Sequence, residues 1–340
     1  MTRSGPSSTG PAVTRRAPYD FAAPWGATSF VTDLDGPVHW IEFSPAEDQA
    51  PDQVRDGNPD KVRELPIVFV HGLGGSHLNW CLIGPALAAG RRVVALDLHG
   101  FGLTPGLRAN STVQANTRLV DRFITEVIGT PVILVGNSMG GLISILETAA
   151  NPGAVKGVVL IDPALPLPPQ KPDWEVSGQF LLYTLPGLAP LVVGRLLSSV
   201  TPEEAVRQLI KLCFADPSRA DPEMTKAEVA LAARRHPANS AQASARARIF
   251  LAAARSLLRV LARRGSYNAK MAGIGVPVLL IGGEADRLVP VAAIRQAAAR
   301  NPHWESVFLA DVGHVPQLEV PGVVATTIRD WLSRHFSAGE

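Results

Sequence analysis

The chain has 340 residues, 46% of them hydrophobic and 18% charged, which excludes a disordered or fibrous protein and supplies material for a sizeable apolar core. Lys and Arg number 32 against 30 Asp and Glu, and a formal net charge of +2 gives no electrostatic footprint of a nucleic-acid binder. The two cysteines, Cys81 and Cys213, offer neither a disulfide framework nor metal-ligand spacing, so a reducing, cytoplasmic setting is expected.

Residues 1–27 are rich in Ser, Pro, Gly and Arg, lack the apolar stretch of a secretory signal, and read as a flexible N-terminal arm. Residues 28–43 hold two short runs around Asp35-Gly36, a hairpin signal, and 44–64 read as an exposed loop. Six apolar, Val- and Ile-rich runs follow: Pro66–Val70, Arg92–Leu96, Pro131–Val135, Val158–Ile161, Pro277–Ile281 and Ser306–Leu309. Such runs are strands buried on both faces of a parallel sheet. Helical patterns at about 77–89, 112–128, 139–150, 290–300 and 321–335 lie between them. The alternation predicts an α/β fold with a mostly parallel central sheet flanked by helices. Residues 163–272 break it with helical periodicity and proline-rich turns, which predicts an inserted helical cap between core segments 28–162 and 273–340. The run Phe180–Val193 is interrupted by Pro186, Gly187 and Pro190 and falls short of the roughly 20 residues of a bilayer span, so a soluble protein is expected.

The run Pro131–Val135 leads directly into Gly136-Asn137-Ser138-Met139-Gly140-Gly141, a G-x-S-x-G between strand and helix. A serine lifted on so tight a turn needs small neighbours, and the following helix offers unpaired N–H groups where an oxyanion would form. A serine hydroxyl also needs a base, and the base an orienting carboxylate. Asp286 follows the run Pro277–Ile281 and His314 follows Ser306–Leu309, both beyond strand C-termini on the edge where Ser138 sits. Asp162 competes with Asp286 for the acid role from the end of an earlier strand. His71 and Asp97, at two further strand ends, are expected to shape their loops.

Five segments together resemble the α/β-hydrolase superfamily, in its esterase-like serine hydrolase form: His71–Gly75 (HGLGG), Asp97–Gly102 (DLHGFG), the Ser138 turn, Gly283–Pro290 and Gly313–Glu319 (GHVPQLE). The resemblance covers residues 28–336. It implies Ser138 as nucleophile, His314 as general base, Asp286 as its orienter, and an oxyanion hole from the backbone N–H groups of Leu73 and Met139. It implies no metal and no organic cofactor. His99 stands where many relatives carry proline, a change expected to alter loop stiffness and not chemistry.

The function expected is hydrolysis of carboxylic esters through an acyl-enzyme. Apolar cap residues such as Phe180, Leu181, Tyr183, Leu188 and Val193 point to an apolar acyl or alcohol group as the small-molecule partner. The Ser138 turn also resembles that of the C–C hydrolases of ring-fission (meta-cleavage) products. Two departures weigh against that chemistry: Gly75-Ser76 replaces their usual proline pattern, and Val315 replaces a tryptophan after the histidine. Perhydrolase and acyltransferase chemistry would use the same three residues, whereas a dehalogenase or epoxide hydrolase needs aspartate at position 138. A non-catalytic member of the fold would usually lack one of the three. Arg248, Arg255, Arg259 and Arg263 form a basic stripe at helical spacing, suited to solvent or to peripheral contact with anionic headgroups. Oligomeric state has no signal in the sequence.

Overall fold

Strand β4 (Glu64–Val70) sends Ile67 and Phe69 into one apolar cluster and Val68 and Val70 into another. Strand β6 (Val132–Asn137) repeats this, with Ile133 and Val135 on the first side and Val132 and Leu134 on the second. Successive side chains of a strand point to opposite faces, so a run apolar at every position must be covered on both. That requirement dictates the three-layer architecture of the computed structural model, which describes residues 12–44, 64–166 and 188–336.

The remaining strands are β1 (Thr14–Arg16), β2 (Ala27–Asp33), β3 (Pro37–Phe43), β5 (Arg91–Leu96), β7 (Val155–Ile161), β8 (Val278–Gly283) and β9 (Glu305–Leu309). They form one nine-stranded sheet in the order β1-β2-β3-β5-β4-β6-β7-β8-β9. The pairs β1–β2, β2–β3 and β3–β5 are antiparallel and the rest are parallel, so the mostly parallel α/β sheet expected from the sequence is present.

Helices α1 (Gly84–Leu87), α2 (Val113–Phe123) and α3 (Met139–Ala150) precede an inserted helical segment of α4 (Leu188–Ser199), α5 (Pro202–Cys213), α6 (Pro222–Arg235), α7 (Ser240–Ala262) and α8 (Arg264–Ala272). Helices α9 (Val291–Arg300), α10 (Pro316–Glu319) and α11 (Pro321–Phe336) complete the chain. The inserted helices start where capping chemistry allows. Thr201, Asp221 and Asn239 accept N–H bonds from Glu204, Met224 and Gln242, and Pro202 and Pro222 occupy first-turn positions where no N–H is needed. Small residues let α4 and α7 pack closely: Ala189 and Val193 meet Ala247, Leu251 and Ala254, and Leu73 and Phe250 extend the cluster towards the loop after β4.

Two expectations need correction. Part of the arm read over 1–27 has regular structure: β1 pairs with β2, where Arg15 faces Val31, and a 3₁₀ turn spans Ala23–Trp25. The helix expected over 77–89 is a 3₁₀ turn, His77–Trp80, followed by the single turn α1. The side chain of Asn79 accepts the N–H of Ser76, closing that first turn on itself. Most of the loop read over 44–64, and residues 180–187 of the apolar run, lie outside the described residues. Among the described residues no helix is long and apolar enough to cross a membrane.

Candidate active site

Ser138 links β6 to α3 with φ +54° and ψ −119°, a region that L-residues rarely occupy. What over-determines this strained turn is the close approach of α3 to the sheet: a Cβ added to Gly140 would lie 1.9 Å from the carbonyl oxygen of Val70 on β4. The Ser138 N–H donates to Ile161 O at 3.1 Å, and its carbonyl accepts from Leu142 (3.1 Å) and Ala164 (2.9 Å). Met139 is the first residue of α3, where backbone N–H groups have no carbonyl a turn earlier to bond. The loop after β4 also comes close, since a Cβ on Gly72 would sit 3.1 Å from that of Ser138.

His314 lies in the loop between β9 and α10, buried and facing Asp286 from the loop after β8. Its Nδ1 is 2.7 Å from Asp286 Oδ2. The other carboxylate oxygen of Asp286 accepts the N–H groups of Leu288 (2.7 Å) and Val289 (3.0 Å), which fixes its orientation. Asp162 stands behind this pair. Its Oδ1 accepts the Gly283 N–H at 2.9 Å, while Oδ2 has no partner among the described residues. Burial, and then the neighbouring Asp286 carboxylate, push the Asp162 pKa well above the ordinary carboxylate value, so its neutral form is favoured. The histidine bonds Asp286 and not Asp162.

Ser138 and His314 line one cavity. Among the described residues Ser138 Oγ makes no hydrogen bond to the imidazole, a contact that is often long in unliganded sites and tightens with substrate. Asn137, which occupies a free position of the serine motif, joins the two: its side-chain amide donates to the carbonyls of His314 and Ile161, both at 3.0 Å.

The two strand-end residues read as loop-shaping are so placed. His71 Nε2 accepts the Leu98 N–H at 3.1 Å and Nδ1 lies 2.8 Å from Gly72 O; complete burial lowers its pKa to about 4, which leaves it neutral. Asp97 accepts the N–H groups of His77 and Leu103 at 2.7 Å and bonds Nδ1 of His39 (2.8 Å) and His77 (2.9 Å). Burial opposes its charge, but His77 and His39 hold its carboxyl well below the usual range. His39, His77 and Asp97 are the one cluster among the described residues with donor atoms close enough for a metal. Their separations are those of hydrogen bonds already made, and the carboxylate is committed to two backbone groups, so the cluster acts as a buried brace.

The inserted segment is bolted to the His314 loop. The His314 N–H donates to Cys213 O at 2.6 Å, and buried Glu319 accepts from Gly313 (2.7 Å), Ala215 (3.1 Å), Asp216 (3.0 Å) and the Arg219 guanidinium (3.2 Å). Helices α4 to α7 thus roof a cavity of about 1320 Å³, walled by groups such as Val193, Leu209, Met224, Phe250 and Leu258. Glu319 lies in a segment the resemblance highlighted, yet its bracing role depends on partners about 100 positions away and has no local signal.

Residues 67–327 match the alpha/beta hydrolase family. The pimeloyl-[acyl-carrier protein] methyl ester esterase of Aromatoleum aromaticum is 29% identical over 272 residues, 78% of this chain and 96% of that protein. The 2-hydroxy-6-oxononadienedioate/2-hydroxy-6-oxononatrienedioate hydrolase of Cupriavidus pinatubonensis is 25% identical over 74% of this chain and 81% of its own. The acetyltransferase component of the acetoin cleaving system of Pseudomonas putida is 26% identical over 79% of this chain, which spans only 64% of that longer protein. In fold, the crystal structure of a bacterial membrane phospholipase A superposes with a TM-score of 0.67 at 24% identity, over 92% of this chain and 88% of that one. The match runs from β4 into α11 and takes in every loop described above: the chain belongs to the alpha/beta hydrolase family.

Proposed function

We propose that the protein is a serine hydrolase that cleaves carboxylic esters bearing an apolar acyl or alcohol group, with Ser138 as nucleophile, His314 as general base and Asp286 as its orienter. The observation that carries this reading is the 2.7 Å His314–Asp286 contact in the cavity where Ser138 sits on a strained turn at a helix N-terminus. The esterase relative, similar over nearly its whole length, supports the ester class. Helices α4 to α8 serve as the cap, and their apolar wall suits the hydrocarbon part of the substrate.

Asp286 holds the imidazole with its far nitrogen free to accept the Ser138 proton as Oγ attacks the ester carbonyl. Negative charge on the carbonyl oxygen meets the N–H groups of Met139 and Leu73 at the positive end of α3, and losing one such donor costs about 3–4 kcal/mol. His314 then protonates the departing alkoxide, and water repeats the cycle on the acyl-serine, returning acid and free enzyme. Asp162, favoured neutral, adds no second charge behind the histidine.

Turnover of a graded acyl-length series of p-nitrophenyl esters by wild type and Ser138→Ala tests this. Activity confined to wild type is expected, and equal rates in both would remove Ser138 from the reaction. The C–C reading has one observation in its favour, the ring-fission-product hydrolase among the relatives. A dienoate ring-fission product belongs beside the esters, and turnover of the dienoate alone would replace ester cleavage with C–C cleavage.

A further inference from the structure

Helix α7 turns one face to the cavity, and that face is apolar except at its start: Arg246 precedes Ile249, Phe250, Leu257, Leu258 and Leu261 along the wall. Arg246 is half-buried, and among the described residues no carboxylate pairs with it. The charge that acts on it is of the same sign, Arg235 at the end of α6, which also lines the cavity and gives one N–H to Gly100 O at 2.7 Å. Two acids also line the cavity: Asp221 caps α6 by accepting the Met224 N–H at 2.8 Å, and Glu228 interacts with His77, Asp97 and Arg235. Burial, and then repulsion from Arg235, lowers the Arg246 pKa to about 10, which leaves it charged at neutral pH.

A half-buried guanidinium beside another guanidinium, with no carboxylate paired to it, is costly unless something brings a compensating charge. The largely apolar cavity in front of it is where that charge would arrive. We infer that the cavity binds an anionic group of the substrate, a carboxylate or a phosphate, on the guanidinium of Arg246 with Arg235 beside it. Guanidinium presents a planar fork of donors that matches either anion with two parallel hydrogen bonds, and Arg235 keeps donors beyond the one given to Gly100. The distance from the scissile bond is set by α7 itself. The Phe250 ring packs over the loop after β4, 3.9 Å from where a Cβ of Gly74 would lie, and Arg246 is one turn earlier, about 6 Å along the axis. The substrate is therefore an ester with an apolar chain ending in a negative charge. This deepens the proposed esterase reading and rests on it.

Three p-nitrophenyl esters of equal chain length separate the cases: octanoate, the monoester of suberate, and the octanoate with a terminal phosphate. The quantity read is the ratio of kcat/KM for each anionic ester to that for octanoate, which does not depend on the fraction of enzyme that is folded. Wild type should favour one anion at least about tenfold, and Arg246→Gln should bring that ratio close to one. The anion with the larger ratio identifies carboxylate or phosphate. A wild-type ratio at or below one, or a ratio unchanged in Arg246→Gln, overturns the inference. Calorimetric binding of monomethyl suberate and of its phosphate counterpart to Ser138→Ala, with and without Arg246→Gln, separates the two readings. Arg246-dependent binding with no ester turnover would sink the esterase reading and keep the anion site. Turnover indifferent to Arg246 would do the reverse.

Discussion

The side-chain amide of Asn137 donates to the carbonyl of His314 at 3.0 Å and to that of Ile161 at the same distance, so one residue beside the serine fixes the backbone of the histidine 177 positions away. Removing the amide loosens the His314 loop while keeping the Ser138 and His314 side chains themselves. Asn137→Ala should lower kcat about tenfold with a smaller change in KM, because only interactions realised in the transition state move kcat alone. Steady-state kinetics on a p-nitrophenyl ester reads this, and an unchanged kcat would show that the His314 loop is held by Cys213 and Glu319 without help.

The two aspartates behind His314 should separate cleanly. Asp286→Asn removes the charge that orients the imidazole and should cost on the order of 10³–10⁴-fold in kcat. Asp162→Asn replaces a carboxyl already favoured in its neutral form by a neutral isostere that still accepts from Gly283, and the loss should be tenfold or less, about 1 kcal/mol. Kinetics of both variants decide the matter, and a larger loss in Asp162→Asn would reassign the acid.

At Gly140 α3 crosses close over the end of β4. A Cβ there would meet the Val70 carbonyl at 1.9 Å, an overlap that only backbone movement relieves. Gly140→Ala should destabilise the fold by about 3 kcal/mol or more despite the better helix propensity of alanine. Urea denaturation measures the change, and a stable, active variant would show that the elbow has slack.

Glu147 is buried on α3, and burial, partly offset by the Asn151 amide at 2.8 Å, raises its pKa to about 7. The folded chain therefore keeps a proton that the unfolded chain releases near pH 4.5. The stability this supplies is complete below that value and is lost as pH rises through about 7. Glu147→Gln should gain on wild type by on the order of 1–2 kcal/mol between pH 5 and pH 8, seen as a few degrees of relative Tm. A difference independent of pH would mean Glu147 is charged throughout.

The parallel strands were legible because covering both faces forces continuous Val and Ile runs such as Pro131–Val135. Strand β1 was not, since Thr14, Arg15 and Arg16 form an exposed edge strand with no apolar pattern to read. Ser138, Asp286 and His314 stood out because each follows a recognisable strand end. Asn137, Asp162 and Glu319 act through partners distant in sequence, so no local signal gives their roles. The arginines show this most sharply. Arg248, Arg259 and Arg263 of the basic stripe are exposed as a solvated face would be, whereas Arg246, two positions from the first of them, turns into the cavity. That turn is set by how α7 packs on α4.

The most direct test of the account is covalent: stoichiometric reaction with diethyl p-nitrophenyl phosphate, followed by peptide mass mapping of wild type, Ser138→Ala and His314→Ala. Activation of Ser138 by His314 predicts one diethylphosphoryl adduct per wild-type chain, on Ser138, absent from Ser138→Ala and formed at least about 10³-fold more slowly in His314→Ala. A single stoichiometric adduct on another residue, or labelling of Ser138 at the wild-type rate without His314, would contradict it.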